Sequence, residues 1–141
     1  MADAREVAQR YADLFIAKFD EITYRGEDLF SDISGHWARE YINSSADKGW
    51  IVGDGTGKFR PYDDITRAEV MTMINAVLNR AVDEDGLCKG YKKWPDNTKG
   101  TWYYYQVIEA TNYHDYEREA DMTEDWIEIL PDKVWNEAGV D

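Results

Sequence analysis

The chain has 141 residues with 16 Lys or Arg and 29 Asp or Glu, so its formal net charge is −13 at pH 7. This charge argues against nucleic-acid binding and against a polybasic membrane-surface module, because both depend on clustered Lys and Arg. The sequence contains no run of about 20 apolar residues, the length that a transmembrane helix needs. One cysteine (Cys88) excludes an internal disulfide framework, and two isolated histidines (His36 and His114) make a histidine-based metal site improbable.

The length predicts one domain, and an apolar content of 43% argues against disorder despite the acidity. Aromatic residues make up 14% of the chain, which indicates a heavy core and also suits stacking on sugars. The first residues are acidic and lack the apolar core of a secretory signal, so we expect either an intracellular protein or a mature fragment.

In chain order, apolar residues recur at helical spacing in four segments, which predicts helices over 3–20, 35–48, 66–80 and about 101–112. A short apolar run, a glycine-rich turn and an extended run into Pro61 predict a small β-turn element between the second and third helices. The segment from about 113 is acidic and weakly periodic. Trp126 and the apolar residues around it are expected to pack against the rest of the chain.

The third helix has the clearest start in the sequence. Thr66 and Glu69 match a capping box, in which each side chain accepts a hydrogen bond from the other residue's backbone N–H. Arg67 is then the first helical residue, at a helix N-terminus that favours anions. Its guanidinium offers a bidentate fork for a carboxylate, or it pairs with a local acid such as Asp63 or Asp64 and only holds the loop.

An internal repeat links two parts of the chain. The run 30–32 (Phe-Ser-Asp) followed by Trp37 reappears as 94–96 (Trp-Pro-Asp) followed by Trp102, and the tryptophans are 102 − 37 = 65 residues apart. Each tryptophan is predicted to open a helix. Core packing is the default expectation for both tryptophans, and partial exposure to a sugar is the alternative.

Four landmarks in the order of a known family occur between residues 30 and 69. The segments 30–38, 49–53, 59–61 and 65–69 resemble the S-layer homology (SLH) repeat. This resemblance implies a mainly α fold, in which helix–loop–helix repeats pack as a pseudo-threefold helical bundle with short extended turns. It also implies anchoring of a surface protein to a cell-wall polysaccharide, often one with a pyruvylated sugar, in Gram-positive bacteria.

The resemblance implies that residues 1–141 form a single SLH-type domain. This domain has four parts. These are the closing helix of a partial repeat with its loop at 3–28, a complete repeat at 29–82, a divergent repeat at 83–130 and a tail at 131–141. The divergent repeat lacks both the Phe-Arg-Pro and the Thr-Arg-Ala-Glu motif. We therefore expect at most one competent binding groove, between adjacent repeats, and a chain trimmed from a larger secreted protein whose signal peptide is absent here.

The resemblance also assigns roles to residues. Candidate ligand-binding residues are Arg67 as carboxylate clamp, with Lys58, Tyr104, Trp102 and Gly53 as further candidates. Residues expected to have structural roles are Thr66, Glu69, Trp37 and Asp32. For Gly53, turn geometry competes with close approach of a sugar.

The predicted function is non-catalytic anchoring at the cell surface or cell wall, with a cell-wall polysaccharide as partner and no cofactor, metal, nucleic acid or membrane. A second hypothesis is a degenerate SLH module that serves assembly, including self-association, and has lost glycan binding. A third is a wall hydrolase. With 29 acidic residues, chance carboxylate pairs are inevitable, so no acid/base pair stands out for that activity.

Overall fold

A computed structural model describes residues 22–133, 135–136 and 139–140. Within this part of the chain the elements are α1 (Arg39–Asp47), α2 (Arg67–Leu78), α3 (Tyr104–Thr111), β1 (His114–Arg118), β2 (Glu124–Ile129), β3 (Trp135–Asn136) and β4 (Gly139–Val140). β1 pairs antiparallel with β2, and β3 pairs antiparallel with β4. The helix predicted over 3–20 lies outside the described residues.

The three described helices fall where the sequence predicts helices, but two of them begin later. α2 begins directly after its capping residue, Thr66, whereas α1 and α3 begin two residues after Trp37 and Trp102. Ala38 and Tyr103 cap these two helices without a side-chain hydrogen bond. Both tryptophans therefore lie in the turns that precede the helices.

Backbone packing divides the chain into two compact units. The first unit comprises residues 1–62 and 132–141, and the second comprises Asp63–Pro131. α1 belongs to the first unit, whereas α2, α3 and the β1–β2 hairpin belong to the second. The closing helix of the complete repeat thus packs on the opening helix of the divergent repeat.

The first unit has a small apolar core around α1. Phe30, Ile33 and Ile42 are buried there. Two buried polar residues of α1 connect the helix to the preceding segment. Ser44 Oγ accepts hydrogen bonds from the backbone N–H groups of Thr23 and Tyr24, and Asn43 Oδ1 accepts one from Leu29 N. Neutral side chains of α1 therefore hold the segment that precedes this helix.

The second unit is built on a different core. Its buried apolar residues are Val82, Tyr104, Ile108 and Trp126, which come from the segment after α2, from α3 and from β2. The hairpin docks through its backbone, because Glu124 N donates to Ala81 O and Trp126 N to Gly86 O, each at 2.8 Å. A Cβ on Gly86 would lie 2.1 Å from Glu124 O, so only glycine permits this approach.

The hairpin is the element that sequence periodicity does not reveal. β1 and β2 alternate buried and exposed residues only in part, and a register shift between Asp115 and Tyr116 interrupts the alternation. Buried positions in both strands are taken by charged or titratable residues, His114 and Glu124, which conceals the apolar–polar pattern of a strand. Within the weakly periodic acidic segment, His114–Arg118 and Glu124–Ile129 are therefore strands of a hairpin.

None of the helices in the described part of the chain has the length and apolar character that crossing a membrane requires. The pseudo-threefold arrangement of repeats stays a prediction.

Candidate functional site

The start of α2 has the geometry that the sequence predicts. Thr66 N donates to Glu69 Oε2 at 2.7 Å, and Glu69 N donates to Thr66 Oγ1 at 3.2 Å, which completes the capping box. Thr66 has an extended backbone and Arg67 is the first helical residue. Thr66 and Glu69 are engaged with each other's backbone, and this capping accounts for both residues.

Arg67 projects into solvent from this helix start. Its side chain is 88% exposed, and its Nη2 lies 3.5 Å from Asp96 Oδ2, whose side chain is also exposed. The acid beside Arg67 is therefore Asp96 of the second Asp motif, rather than the expected Asp63 or Asp64. Such an exposed ion pair is weak, so a carboxylate from another molecule can compete for this guanidinium.

Gly53 has a structural reason to be glycine. It has φ of +75°, and a Cβ there would come within 2.5 Å of the Phe30 ring and 2.7 Å of Lys58 O. The space beside it is filled by the protein itself, which supports turn geometry over approach of a sugar. Lys58, exposed in the same loop, has its carbonyl oxygen bonded by Asp54 N at 2.9 Å.

Asp32 holds the two residues that follow Lys58. Its carboxylate accepts hydrogen bonds from Phe59 N at 2.9 Å and from Arg60 N at 2.8 Å. These bonds, the one from Phe59 first, hold the pKa of Asp32 below its ordinary value despite an opposing effect of burial. Arg60 has φ of +59°, so Asp32 fixes a backbone turn that an arginine rarely adopts.

The prediction that the two repeat tryptophans pack in the core is wrong. Trp37 is 84% exposed and Trp102 is 66% exposed, because each precedes its helix instead of lying on the buried face. His36 lies between Trp37 and Tyr62, with ring centroids 5.8 and 5.0 Å away, and Tyr62 is also exposed. These three rings form an aromatic surface on the first unit, of the type that stacks on apolar faces of ligands.

Tyr104 is misassigned as a groove residue. It is 5% exposed and belongs to the core of the second unit. Its hydroxyl is hydrogen-bonded to Tyr91, and this bond together with burial raises the pKa of Tyr104. Of the three consecutive tyrosines 103–105, the middle one faces inward because it opens α3 on its buried side, and the other two are half-buried.

The second unit contains a buried charged cluster that sequence reasoning missed. We call Arg80, Glu109, His114 and Glu124 the Arg80 cluster. Arg80 Nη2 lies 3.1 Å from Glu109 Oε1, 2.9 Å from His114 Nε2 and 3.2 Å from Glu124 Oε2. Arg80 Nε also donates to Glu124 Oε1. His114, classed as isolated from its position in the sequence, is therefore one of four converging groups.

Aromatic rings enclose the Arg80 cluster. The rings of His114 and Trp126 stack at 3.7 Å, and the Arg80 guanidinium lies 4.1 Å from the ring centre of Tyr116. His114 and Tyr116 are two residues apart, as are Glu124 and Trp126. This spacing of two residues was the sequence signal for the cluster. It becomes visible only when residues 114–129 are treated as a hairpin.

Burial and neighbouring charges shift the pKa values of the two carboxyl groups of the cluster in opposite directions. Burial, followed by the negative charge of Glu124, raises the pKa of Glu109 to about 7, against opposing effects of Arg80 and Trp126. Burial also acts to raise the pKa of Glu124, but hydrogen bonds from Arg80 and His114 outweigh it and lower that pKa. The pKa values of two nearby glutamates are thus shifted in opposite directions.

The Arg80 cluster resembles a metal site only in its acids and histidine. The ligand atoms of Glu109, His114 and Glu124 lie within 4.8 Å of one another. Arg80 Nη2 lies among all three, in the place that a cation would take. We therefore describe these residues as the partners of Arg80 and not as metal ligands.

Comparison with known proteins identifies the segment that carries the helix start. Residues 29–71 match the family model of the S-layer homology domain. The chain is 31% identical over 127 residues to a cellulosome-anchoring protein of Acetivibrio thermocellus, an alignment covering 81% of this chain and 28% of that protein. It is 35% identical over 75 residues to an S-layer protein of Bacillus thuringiensis subsp. finitimus, covering 52% of this chain and 9% of that protein.

A third relative has an enzyme name. An uncharacterized cell wall amidase of Bacillus anthracis is 39% identical over 54 residues, which cover 38% of this chain and 10% of that protein. The chain thus spans well under a third of the length of each of these relatives. No solved structure matches the chain. The chain carries an S-layer homology domain at residues 29–71 and belongs at the bacterial cell surface.

Proposed function

We propose that this chain is a non-catalytic module that anchors a surface protein to the wall of a Gram-positive bacterium by binding an anionic, pyruvylated polysaccharide. The observation that carries the proposal is Arg67, an 88% exposed guanidinium on the first residue of a capped helix. In a chain of net charge −13, a carboxylate ligand needs such a local cation. Salt restricts the surrounding repulsion to about 8 Å at physiological strength, so a local site can prevail.

Family and relatives support the anchoring part of this proposal. The helix start lies inside the matched segment 29–71, and the relatives include proteins named for anchoring and for the surface layer. Binding of a sugar that carries a carboxylate is the more specific part of the proposal, and this part rests on the chemistry of Arg67. Exposed rings at Trp37, Tyr62 and Trp102 add stacking surfaces for sugar rings.

The test is cosedimentation with purified walls, before and after their secondary polysaccharide is stripped. Wild-type chain is expected to sediment with intact walls only, and Arg67→Ala to lose most of this binding. Arg25→Ala is the matched control, because Arg25 is also exposed and weakly paired, here with Glu40 at 4.0 Å. We expect Arg67→Ala to remain folded, with a stability change within about 0.5 kcal/mol.

Equal binding by wild type and Arg67→Ala would refute the clamp, and equal binding to stripped walls would refute the polysaccharide. The anchoring module is proposed to lack hydrolase activity, so turnover of wall material by the chain would contradict that part.

A second candidate function is an assembly module. One specific observation favours it: the family match ends at residue 71, and the divergent repeat lacks the Thr-Arg-Ala-Glu motif. This candidate predicts a folded chain that ignores walls and self-associates, which light scattering across a concentration series would detect.

A further inference from the structure

The Arg80 cluster has fewer hydrogen atoms than its contacts require. Arg80 Nη2 carries two N–H groups but approaches three acceptors, on Glu109, His114 and Glu124, at 2.9–3.2 Å. His114 Nδ1 lies 2.7 Å from Asn112 O, so the proton of a neutral ring belongs on Nδ1. His114 Nε2 lies 3.1 Å from Glu124 Oε2 and 2.9 Å from Arg80 Nη2, so one protonation state of this nitrogen cannot satisfy both contacts.

Glu109 has the least satisfied carboxyl group of the cluster. Its Oε2 is buried without a hydrogen-bond partner of good geometry, and the buried Trp126 Nε1 lacks one too. The indole N–H is near enough to oppose the rise in the pKa of Glu109 described above. Leaving a buried carboxylate oxygen unpaired is costly. One additional proton on Glu109 removes this cost and one negative charge together.

Charge counting leads to the same result. Glu109 and Glu124 would carry two negative charges, and Arg80 is the one cation among the described residues that contacts both. Arg118 Nη2 lies 3.8 Å from Glu124 Oε1, which favours the ionised form of Glu124 rather than of Glu109. The groups that face Glu109 are thus Arg80 from the segment after α2, His114 from β1, and Glu124 and Trp126 from β2.

We propose that a protonated Glu109, hydrogen-bonded to the Glu124 carboxylate, closes the Arg80 cluster and makes the docking of the β1–β2 hairpin dependent on pH. The proton joins α3 to β2, and Arg80 joins both to the end of α2. Loss of the proton leaves two carboxylates with oxygen atoms within 4.8 Å of each other in a buried site. The hairpin is then held less firmly while the first unit is unaffected.

The direction of the pH effect follows from the two carboxyl groups. Because the pKa of Glu109 is raised to about 7 in the folded chain, its contribution is full below the ordinary value of 4.5 and is lost as the pH rises through 7. Because the pKa of Glu124 is lowered, its contribution is present above 4.5 and is lost as the pH falls below that value. The second unit is therefore most stable in weakly acidic solution.

The experiment is urea unfolding of the full chain at pH 5, 6, 7 and 8, once with and once without EDTA. Backbone NMR signals of Glu124 and Trp126 report on the second unit, and those of Ile42 and Ser44 report on the first. We expect the urea midpoint of the second unit to fall from pH 5 to pH 8 and that of the first unit to stay level. Glu109→Gln, which keeps the shape and removes the titration, is expected to abolish the fall and to exceed wild type at pH 8.

Glu128→Gln is the matched control, because Glu128 is an exposed carboxylate on β2 and its loss leaves the cluster intact. A wild-type pH dependence that persists in Glu109→Gln would overturn the proposal. If that variant fails to fold, the Glu109 carboxyl carbon of the wild type is titrated by 13C NMR. A midpoint near 7 supports the proposal and one near 4.5 overturns it. A pH effect that EDTA abolishes would assign the site to a metal ion and would also overturn it.

Discussion

The two units place a buried polar residue at the same point of equivalent helices and satisfy it in opposite ways. Ser44 in α1 and Glu109 in α3 are 109 − 44 = 65 residues apart, the offset of the sequence repeat, and both are buried. Ser44 accepts two backbone N–H groups, whereas Glu109 faces a cation, a histidine and a second carboxylate. Two backbone groups of one segment satisfy the neutral Ser44, but a buried charge needs partners from several elements.

The Asp motifs differ in the same manner. Asp32 is committed to two backbone N–H groups of its own unit, while Asp96 is exposed and pairs with Arg67. The aspartate of the repeated motif thus has a structural role in the first copy and is exposed at the surface in the second. Repetition of sequence preserves where a side chain lies along the element and not what it contacts.

The largest effect is expected from breaking the Arg80 cluster. Arg80→Ala removes the cation between Glu109 and Glu124. Removing one partner of a buried ion pair typically costs about 3–5 kcal/mol, because it leaves an uncompensated charge. We expect the urea midpoint of the second unit to drop strongly at pH 8, and less at pH 5, where Glu109 is protonated. Arg39→Ala, at a half-exposed ion pair with Asp28 in the first unit, is the control and should cost far less. Similar losses for both variants would contradict the charged cluster as the main tie of the second unit.

Ser44→Ala is expected to have an intermediate effect, confined to the first unit. It leaves the N–H groups of Thr23 and Tyr24 without their acceptor, and the loss of a part-buried hydrogen bond costs about 0.5–1.5 kcal/mol. The measurement is the urea midpoint of the first unit at pH 5 and pH 8, and the loss should be the same at both, since no titrating group is involved. A pH-dependent loss would show that a titrating group takes part in these hydrogen bonds, which would contradict the difference between the two units.

The smallest effects separate the two Asp motifs. Asp32→Ala is expected to lower the stability of the first unit at pH 7 and to have little further effect below pH 3. The lowered pKa of Asp32 contributes stability above the ordinary value of 3.8, which is lost as the pH falls through the folded value. Asp96→Ala should leave stability unchanged within error. Thermal unfolding of both variants at pH 7 and pH 3 tests this, and equal effects would remove the distinction between the motifs.

Local sequence signals were sufficient for features that depend on near neighbours. The capping box at Thr66 and Glu69 was predicted because both partners lie within one helical turn. The glycine turn at Gly53 was predicted for the same reason. The tryptophans were misassigned because helical periodicity was extended three or four residues before the true helix starts, where side chains no longer follow the buried face. Tyr104 lies four residues before the buried Ile108, a spacing that places both side chains on one face of α3.

By itself, the sequence determined the approximate positions of the three described helices, the capped start of α2, the exposed placement of Arg67 and the family of residues 29–71. These follow from spacing within a few residues or from a motif. Only the tertiary structure brought Arg80, Glu109, His114 and Glu124 together and paired Arg67 with Asp96. The contacts of Arg80 and Arg67 join residues 29 to 44 positions apart, and the interaction of charges depends on distance in space and on burial, neither of which the order of residues displays.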